Sequence, residues 1–446
     1  MTDTHKFFLT TLGCKVNQYE GQALREAWIT RGLEETGDAA AADTICVNTC
    51  AVTANAVADG RAAVRRAHRD NPGADIIVTG CAAQVLGEEF WKLPGVRLVV
   101  PQKNKTCLLR QGEEDLLRAC GREGAEGPDD TAYPLFSITG YDRSRAVLKV
   151  QDGCSHRCTY CIVPLTRGPS RSREPSETLA EARRLLAAGF RELVLNGINL
   201  AQYGRDFADP HDFWDLVAML DAELAPEWKG RARIRLSSLE PGQLGPKALD
   251  VLGGSAMVAP HLHLSLQSGS KNVLKRMGRG HYDPGILHGF CRDLAAVFPS
   301  FGLGADLLAG FPGETAVDAE ETEAFCADLP FTYAHVFPYS RRPGTPAAAW
   351  PGQVATDEKK ERAARLRALV GAKKRDFLRR CLALPQTFVA CEVANGAPRA
   401  EGGVNEFYAE CRFKDGVGPD ASAHRSLLAA KPVGVGKDWL WVEMVE

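Results

Sequence analysis

DGCSHRCTYCIVPLTR, residues 152–167, sets Cys154, Cys158 and Cys161 in a C-x3-C-x2-C run directly after a short apolar stretch, 146–150. Three thiolates at this spacing can hold three corners of a cubane iron–sulfur cluster, whereas full ligation takes four. The next cysteine along the chain is Cys291. A cluster held on three thiolates keeps one iron open to another ligand, which suits a reaction centre better than a structural staple. The competing reading is zinc, which wants four ligands and could take His156 as the fourth.

Upstream, three strand–cysteine–helix units open the chain. An apolar run at 7–12 ends in Gly13-Cys14 and leads into a helical stretch, 18–30, closed by Gly32. A second strand at 44–48 ends in Thr49-Cys50 before an Ala-rich helix, 54–69. After the turn Asn71-Pro72-Gly73, a third strand at 75–78 ends in Gly80-Cys81. Alternating strands and helices predict a parallel sheet, in which ligands gather at the carboxyl ends of the strands. Each of the three cysteines stands there. One strand-end cysteine is commonly a small buried hydrophobe, and Cys46, inside the second strand, is expected to be one. Three at equivalent places point to a second three-thiolate cluster. Gly13 and Gly80 fit this, because glycine lets backbone approach a ligand closely.

Downstream, residues 111–139 lose all apolar period and read as a glycine-rich, acidic linker, with Cys107 and Cys120 beside it as incidental cysteines. Six strands then follow at 146–150, 192–196, 233–237, 261–266, 303–308 and 333–337, separated by helical stretches such as 176–188, with Ser176 as N-cap and Gly189 as stop. Their spacing predicts a barrel or partial barrel with its chemistry at the strand carboxyl ends. Those ends carry Asn196-Gly197, SSLE at 237–240, Gln267-Ser268-Gly269 and GFPGE at 310–314, small polar groups suited to a polar cofactor. His261 and His263 alternate on one strand face, where packing or hydrogen bonding is favoured over metal binding. Residues 359–380 carry ten basic and two acidic residues, with Leu366, Leu369, Val370 and Phe377 at helical spacing. A solvated helix face is the plain reading, and a phosphate-binding element is the functional one. The tail, 384–446, alternates β-like runs (387–393, 406–413, 439–445) with turns and reads as a small β-barrel.

The totals bound the class. A chain of 446 residues predicts two or three domains, and 45% hydrophobic with 25% charged residues is ordinary globular composition. No apolar run is long enough to span a membrane, and MTDTHK lacks the regions of a signal peptide, so a cytoplasmic location is expected. Fourteen cysteines then point to ligands rather than disulfides. A formal net charge of −2 restricts any nucleic-acid contact to a local basic patch.

Along all three parts the chain resembles the radical S-adenosylmethionine methylthiotransferase family. TLGCKVNQYE, VNTCAVT and VTGCAAQ match its N-terminal domain. LKVQDGCSHRCTYCIVPLTRG, ELVLNGINLAQYG, RIRLSSLEP, HLHLSLQSGSKNVLKRMGR, DLLAGFPGET and FPYSRRPGTPAA match its radical domain. KVNQ after Cys14 and the LSSLEP run are similar to the branch that acts on threonylcarbamoyladenosine beside the tRNA anticodon. Ser265 stands where the family often has proline, Asn196 where this branch often has threonine, and the tail matches the RNA-binding TRAM consensus only loosely.

The resemblance implies an α/β chain of three domains and a linker: a flavodoxin-like N-terminal domain at 4–112, the linker at 113–138, a partial (β/α)6 radical barrel at 139–370, and a basic helix with a small all-β TRAM-like or OB-like module at 371–446. It implies two [4Fe-4S] clusters, one on Cys154, Cys158 and Cys161 that binds S-adenosylmethionine at its open iron, the other on Cys14, Cys50 and Cys81 that presents sulfur. Tyr160 would lie near the adenine of S-adenosylmethionine, Asn196 and Gly197 near its methionine end, and Gln267 and Ser268 near its ribose. Two S-adenosylmethionines are used per turnover, one to methylate the sulfur and one to generate the radical that abstracts hydrogen from the adenine ring carbon. The implied partners are tRNA and an electron donor of flavodoxin or ferredoxin type; the sulfur donor stays open, no membrane is involved, and the chain is a monomer. Alternatives are the same chemistry on isopentenyladenosine or on an aspartate of a ribosomal protein, and, from another class, a non-catalytic RNA-binding protein with structural zinc.

Overall fold

TICVNT, Thr44–Thr49, is buried at every position, as a central strand covered on both faces must be. It is β3 of a five-stranded parallel sheet formed with β1 (Lys6–Thr11), β2 (Glu34–Glu35), β4 (Asp75–Gly80) and β5 (Val96–Pro101), in the order β2-β1-β3-β4-β5. This is the flavodoxin-like order. Helices α1 (Lys15–Thr30), α2 (Ala54–Asp70) and α3 (Cys81–Trp91) supply the crossovers. Two apolar clusters cover the sheet, one around Ile45, Val47, Ile76, Val78 and Phe90, the other around Phe7, Leu24, Trp28, Cys46 and Leu98. Cys46 thus packs as a hydrophobe, its thiol pushed up to about 12 by burial. The sequence reading found β1, β3 and β4 but not β2 or β5. The first is only two residues long, and VRLVVP at 96–101 follows a turn with no glycine–cysteine punctuation of its own.

The computed structural model describes residues 4–110, 133, 134, 136–141, 143–393, 397, 399–416 and 418–445. Most of the expected linker, and Cys120, lie outside the described residues. The chain divides into two compact units: Met1–Thr139 with Lys149–Arg173 and Ser340–Ala348, and Gly140–Leu148 with Glu174–Tyr339 and Ala349–Glu446. No helix among the described residues is long and apolar enough to cross a membrane.

In the second unit the β/α strands pair in chain order. Ala146–Lys149, Glu192–Asn196 and Arg233–Leu236 form one sheet; Ser238–Leu239, His261–Gln267, Gly302–Ala309 and Tyr333–Pro338 form the next. The chain passes from one to the other across Ser237, giving an open partial barrel. Helix Pro175–Ala187 has Glu174 as its N-cap and Pro175 as its first residue, so the cap lies two positions before the expected Ser176. Proline at that position forfeits no helical hydrogen bond. Gly189, at φ +96°, ends it as expected.

Helix Thr356–Cys381 buries Leu366, Val370 and Phe377, while Leu369 is half-buried. The tail closes into a barrel of Thr387–Glu392, Gly402–Val404, Glu410–Phe413, Leu440–Met444 and Leu427–Val435. The run expected as one strand over 406–413 is a strand only from 410, because Asn405 accepts from the Phe407 and Ala409 amides and Tyr408 takes φ +66°. In Leu427–Val435 the strand pattern is interrupted by Pro432 and Gly434, which hides it in the sequence. This barrel docks through Arg233 and Arg235. Arg233 donates to the Phe388 and Val404 carbonyls and Arg235 to those of Asn405 and Glu406, while buried Glu192 pairs with both guanidiniums. Burial alone would raise the Glu192 carboxyl, but Arg233, Arg235 and Arg145 outweigh it and hold it far below the carboxylate range.

Candidate metal centre and cofactor site

Register brings the first three cysteines together. Thr11 is level with Asn48, and Thr49 with Gly80, so β1, β3 and β4 end on one edge. Cys14 caps α1, Cys50 follows β3 directly, and Cys81 is the first residue of α3. Two of the three therefore sit at helix N-termini, where the partial positive charge favours thiolate. Gly13, at φ +93°, lies so close to Cys50 that an added Cβ would stand 2.5 Å from its Sγ. Gly80, at φ +97°, would put a Cβ 2.7 Å from Asn48 Oδ1 and against the Thr49 carbonyl. Asn17 fastens the rim: its Nδ2 donates to the carbonyls of Leu12 at 2.7 Å and Thr49 at 3.2 Å.

Burial pushes the Cys50 thiol up to about 11, with Cys14 and Cys81 adding to the effect. Cys14 itself is exposed at the start of α1. Thiols bind a metal as thiolates, so binding here would release their protons to solvent. Gly80→Ala forces a β-carbon into the Thr49 backbone at a φ that costs an L-residue energy. It should lower iron bound per chain by about half after anaerobic reconstitution, measured by iron analysis beside circular dichroism to confirm the fold.

Cys154, Cys158 and Cys161, each half-buried, lie on an irregular loop in the same unit. The loop is closed by the Cys154 amide donating to the Gly168 carbonyl at 3.0 Å and the Cys161 amide to the Cys158 carbonyl at 3.0 Å. Gly153, at φ +67°, packs against the Pro169 carbonyl with no room for a side chain. Tyr160 is half-buried between the last two cysteines.

A buried ionic network joins the two cysteine groups. Glu20, on α1, accepts from Lys105 at 2.7 Å, Lys149 at 2.8 Å and Arg167 at 2.7 Å; Asp152 accepts from Lys149 at 2.7 Å and Arg167 at 2.9 Å. All five side chains are at most 2% exposed. Burial would raise the Glu20 carboxyl, but Arg167, Lys105 and Lys149 more than offset this and hold it well below the usual carboxylate range; Asp152 is lowered by Arg167 and Lys149 in the same way. Three cations face two carboxylates. The excess positive charge includes Arg167, which interacts electrostatically with Cys14, Cys50 and Cys81. Two anionic clusters would be favoured by such a surrounding. A third strand of chain joins them: Arg342 Nε donates to the Val52 carbonyl at 2.8 Å, and the Ala347 amide to the Thr159 carbonyl at 2.9 Å. None of Glu20, Lys105, Lys149, Arg167 or Arg342 had been singled out from the sequence. The available signal was a glutamate six residues past Cys14 on the same helix, and an arginine closing the cysteine motif.

The remaining residues expected at the cofactor belong to the second unit. Asn196 ends its strand, 5% exposed, and its buried Nδ2 has no hydrogen-bond partner. Gly197 follows it. Just past the end of the next strand, Ser237 likewise has a buried Oγ with no protein partner. Buried polar groups without a protein partner at strand carboxyl ends take one from a ligand or a water. Gln267 ends its strand at φ +67°, a conformation a non-glycine residue holds only where its surroundings impose it. Ser268 differs: its hydroxyl is 3.0 Å from Thr322 Oγ1 and accepts from the Ser270 amide, so it shapes the turn.

Residues 6–101 match the model of the family described as uncharacterized protein family UPF0004, and residues 148–326 that of the radical SAM superfamily. The threonylcarbamoyladenosine tRNA methylthiotransferase MtaB of Bacillus subtilis (strain 168) is 39% identical over 80% of this chain and 79% of its own length. That of Rickettsia prowazekii (strain Madrid E) is 36% identical over 80% and 81%. The tRNA-2-methylthio-N(6)-dimethylallyladenosine synthase of Bacillus pumilus (strain SAFR-032) is 33% identical over 82% and 72%. Among solved structures, the radical S-adenosylmethionine methyltransferase TsrM of Kitasatospora setae, with cobalamin and a [4Fe-4S] cluster bound, superposes with a TM-score of 0.58 at 15% identity, covering 77% of each chain.

Proposed function

Because the chain belongs to the radical S-adenosylmethionine methylthiotransferases, we propose that it converts N6-threonylcarbamoyladenosine beside the tRNA anticodon to its 2-methylthio derivative. The observation that carries the substrate choice is the 39% identity to a relative named for that nucleoside, against 33% to one named for dimethylallyladenosine. Nucleoside mass spectrometry of tRNA from a deletion strain tests it. The 2-methylthio derivative of threonylcarbamoyladenosine should vanish and return on complementation, while loss of the dimethylallyl derivative instead would reassign the substrate.

The cofactors are two [4Fe-4S] clusters and S-adenosylmethionine. Cys154, Cys158 and Cys161 would hold one cluster and Cys14, Cys50 and Cys81 the other, a fit supported by three thiols per site, the close glycines and the excess buried positive charge. When bound, the first cluster supplies reductive cleavage of S-adenosylmethionine at an open iron, and the second supplies the sulfur that a separate S-adenosylmethionine methylates. The chain's own part is positioning. Asn17 and Arg342 fix the Cys50 loop from two sides, and Arg167 offsets negative charge beside the sulfur-presenting cysteines. Tyr160, Asn196, Gly197 and Gln267 are assigned to S-adenosylmethionine, with the unpaired Asn196 amide as the donor for its carboxylate; Ser268 is assigned to supporting the turn beside the ribose. By part, 4–112 presents sulfur, 113–138 links, 139–370 generates the radical and 371–446 holds RNA. An electron donor of flavodoxin or ferredoxin type, a cytoplasmic location and a monomeric chain complete the reading.

For tRNA the basic helix supplies fewer free charges than its composition suggests. Arg362 is buried against Glu314 and Glu358, Arg365 pairs with Glu323 and Glu361, and Lys373 donates to the Ala327 carbonyl. Arg375 and Arg380 stay exposed. Arg375→Glu with Arg380→Glu should weaken tRNA binding and reduce the slope of log affinity against log salt by about 2, read from a filter-binding salt series. An unchanged slope would return the helix to a purely structural role.

A further inference from the structure

His263, Asp306 and His335 come from three consecutive strands of the partial barrel and converge on one face. His263 is level with Gly304 on the next strand, Asp306 lies two residues on from Gly304 and therefore on the same face, and Asp306 is level with His335 on the third. One ligand atom from each lies within 4.8 Å of the other two, the one group of this kind among the described residues. His263 Nε2 is 3.1 Å from Asp306 Oδ1, and the His263 and His335 rings are 5.4 Å apart. We propose that these three side chains form a binding site for a divalent first-row transition metal ion, separate from both cysteine groups.

The ligand set is the first argument. Two imidazoles and one carboxylate suit iron, zinc, cobalt or nickel, whereas magnesium and calcium prefer all-oxygen sites. An ion bound at about 2.1 Å from each ligand brings them roughly 3–3.5 Å apart. A rotamer change at exposed His335 supplies that contraction.

The surroundings are the second. A metal-bound imidazole uses its other nitrogen to donate to a fixed acceptor. His263 Nδ1 is 2.9 Å from the Tyr333 hydroxyl, which is also 2.8 Å from His261 Nε2. The hydroxyl has one proton for two imidazole neighbours, so one of them must donate to it. With His263 Nδ1–H as that donor, its Nε2 lone pair points to the Asp306 side, and a cation there satisfies both. Gly304 makes room for this stack, since a Cβ would stand 2.6 Å from His263 Nδ1.

Access is the third. His335 and Tyr333 line a cavity of about 990 Å³ shared with Arg367, Lys374 and Tyr408. An ion can reach the site by that route, and with three protein ligands it keeps positions open for water or another oxygen donor. The sequence showed His263 only as one of an alternating pair; its companions stand 43 and 72 residues further on, on other strands.

Calorimetric titration with Zn2+ tests this on cluster-loaded protein, whose cluster cysteines are already occupied by iron. One equivalent should bind, and His335→Ala and Asp306→Asn should each weaken binding by at least ~10-fold. His211→Ala, an exposed histidine elsewhere on the unit, should leave it unchanged. Since His335 is exposed, its variant should keep the wild-type circular dichroism and cluster absorbance. No heat above the buffer control, or the same affinity in both site variants, would overturn the proposal.

Discussion

Cys158→Ala is expected to abolish both 5′-deoxyadenosine release and thiolation, whereas Cys14→Ala should keep 5′-deoxyadenosine release and lose thiolation alone. The two cysteines sit on different loops of one unit, Cys14 at the start of α1 and Cys158 on the loop closed by the Cys154–Gly168 hydrogen bond. Each substitution should remove about four of about eight irons per chain after reconstitution. Electron paramagnetic resonance of the reduced proteins then distinguishes them. Addition of S-adenosylmethionine should alter the spectrum of the Cys14 variant and leave that of the Cys158 variant unchanged. Incorporation of labelled sulfur into tRNA by the Cys14 variant would contradict the division of labour between the loops.

The second large effect belongs to Glu20. Glu20→Gln leaves Lys105, Lys149 and Arg167 facing Asp152 alone in a site where every charged side chain is at most 2% exposed. Removing one partner of a buried ionic group costs about 3–5 kcal/mol, which chemical denaturation should read directly. Its pH dependence follows from the direction of the shift. The folded carboxyl is held well below its unfolded value, so its contribution is complete above the unfolded pKa. It is lost only as pH falls toward the folded one. The gap between wild type and Glu20→Gln should therefore stay constant from about pH 6 to 8 and narrow under acid, below about pH 4.5. A gap that instead widens in acid would show that the network is not what Glu20 stabilises.

What could be read from the sequence was whatever repeats locally. TLGCK, VNTCA and VTGCA each put a cysteine at the end of an apolar run, and parallel register then brings the three together, as it did at β1, β3 and β4. The C-x3-C-x2-C loop is a single continuous motif and needed no fold to be seen. Glu20, Lys105, Lys149 and Arg167 are individually ordinary charged residues, and only the fold makes them neighbours across as many as 147 positions. Asn196 was visible as a strand end, but that its amide is left unpaired is a property of packing. Ser268 shows the opposite case: it has the right residue type at a strand end, with a hydroxyl already engaged by Thr322. The basic helix shows why counting charge overstates a surface, since Arg362 is buried.

The segment Ser340–Ala348 has a consequence for how the protein is made. Through Arg342 it holds the loop after Cys50, and through Ala347 the loop that carries Cys158 and Cys161. Those residues leave the ribosome some 180 to 290 positions after the loops they fasten. During translation, therefore, both cysteine loops emerge well before the segment that fastens them.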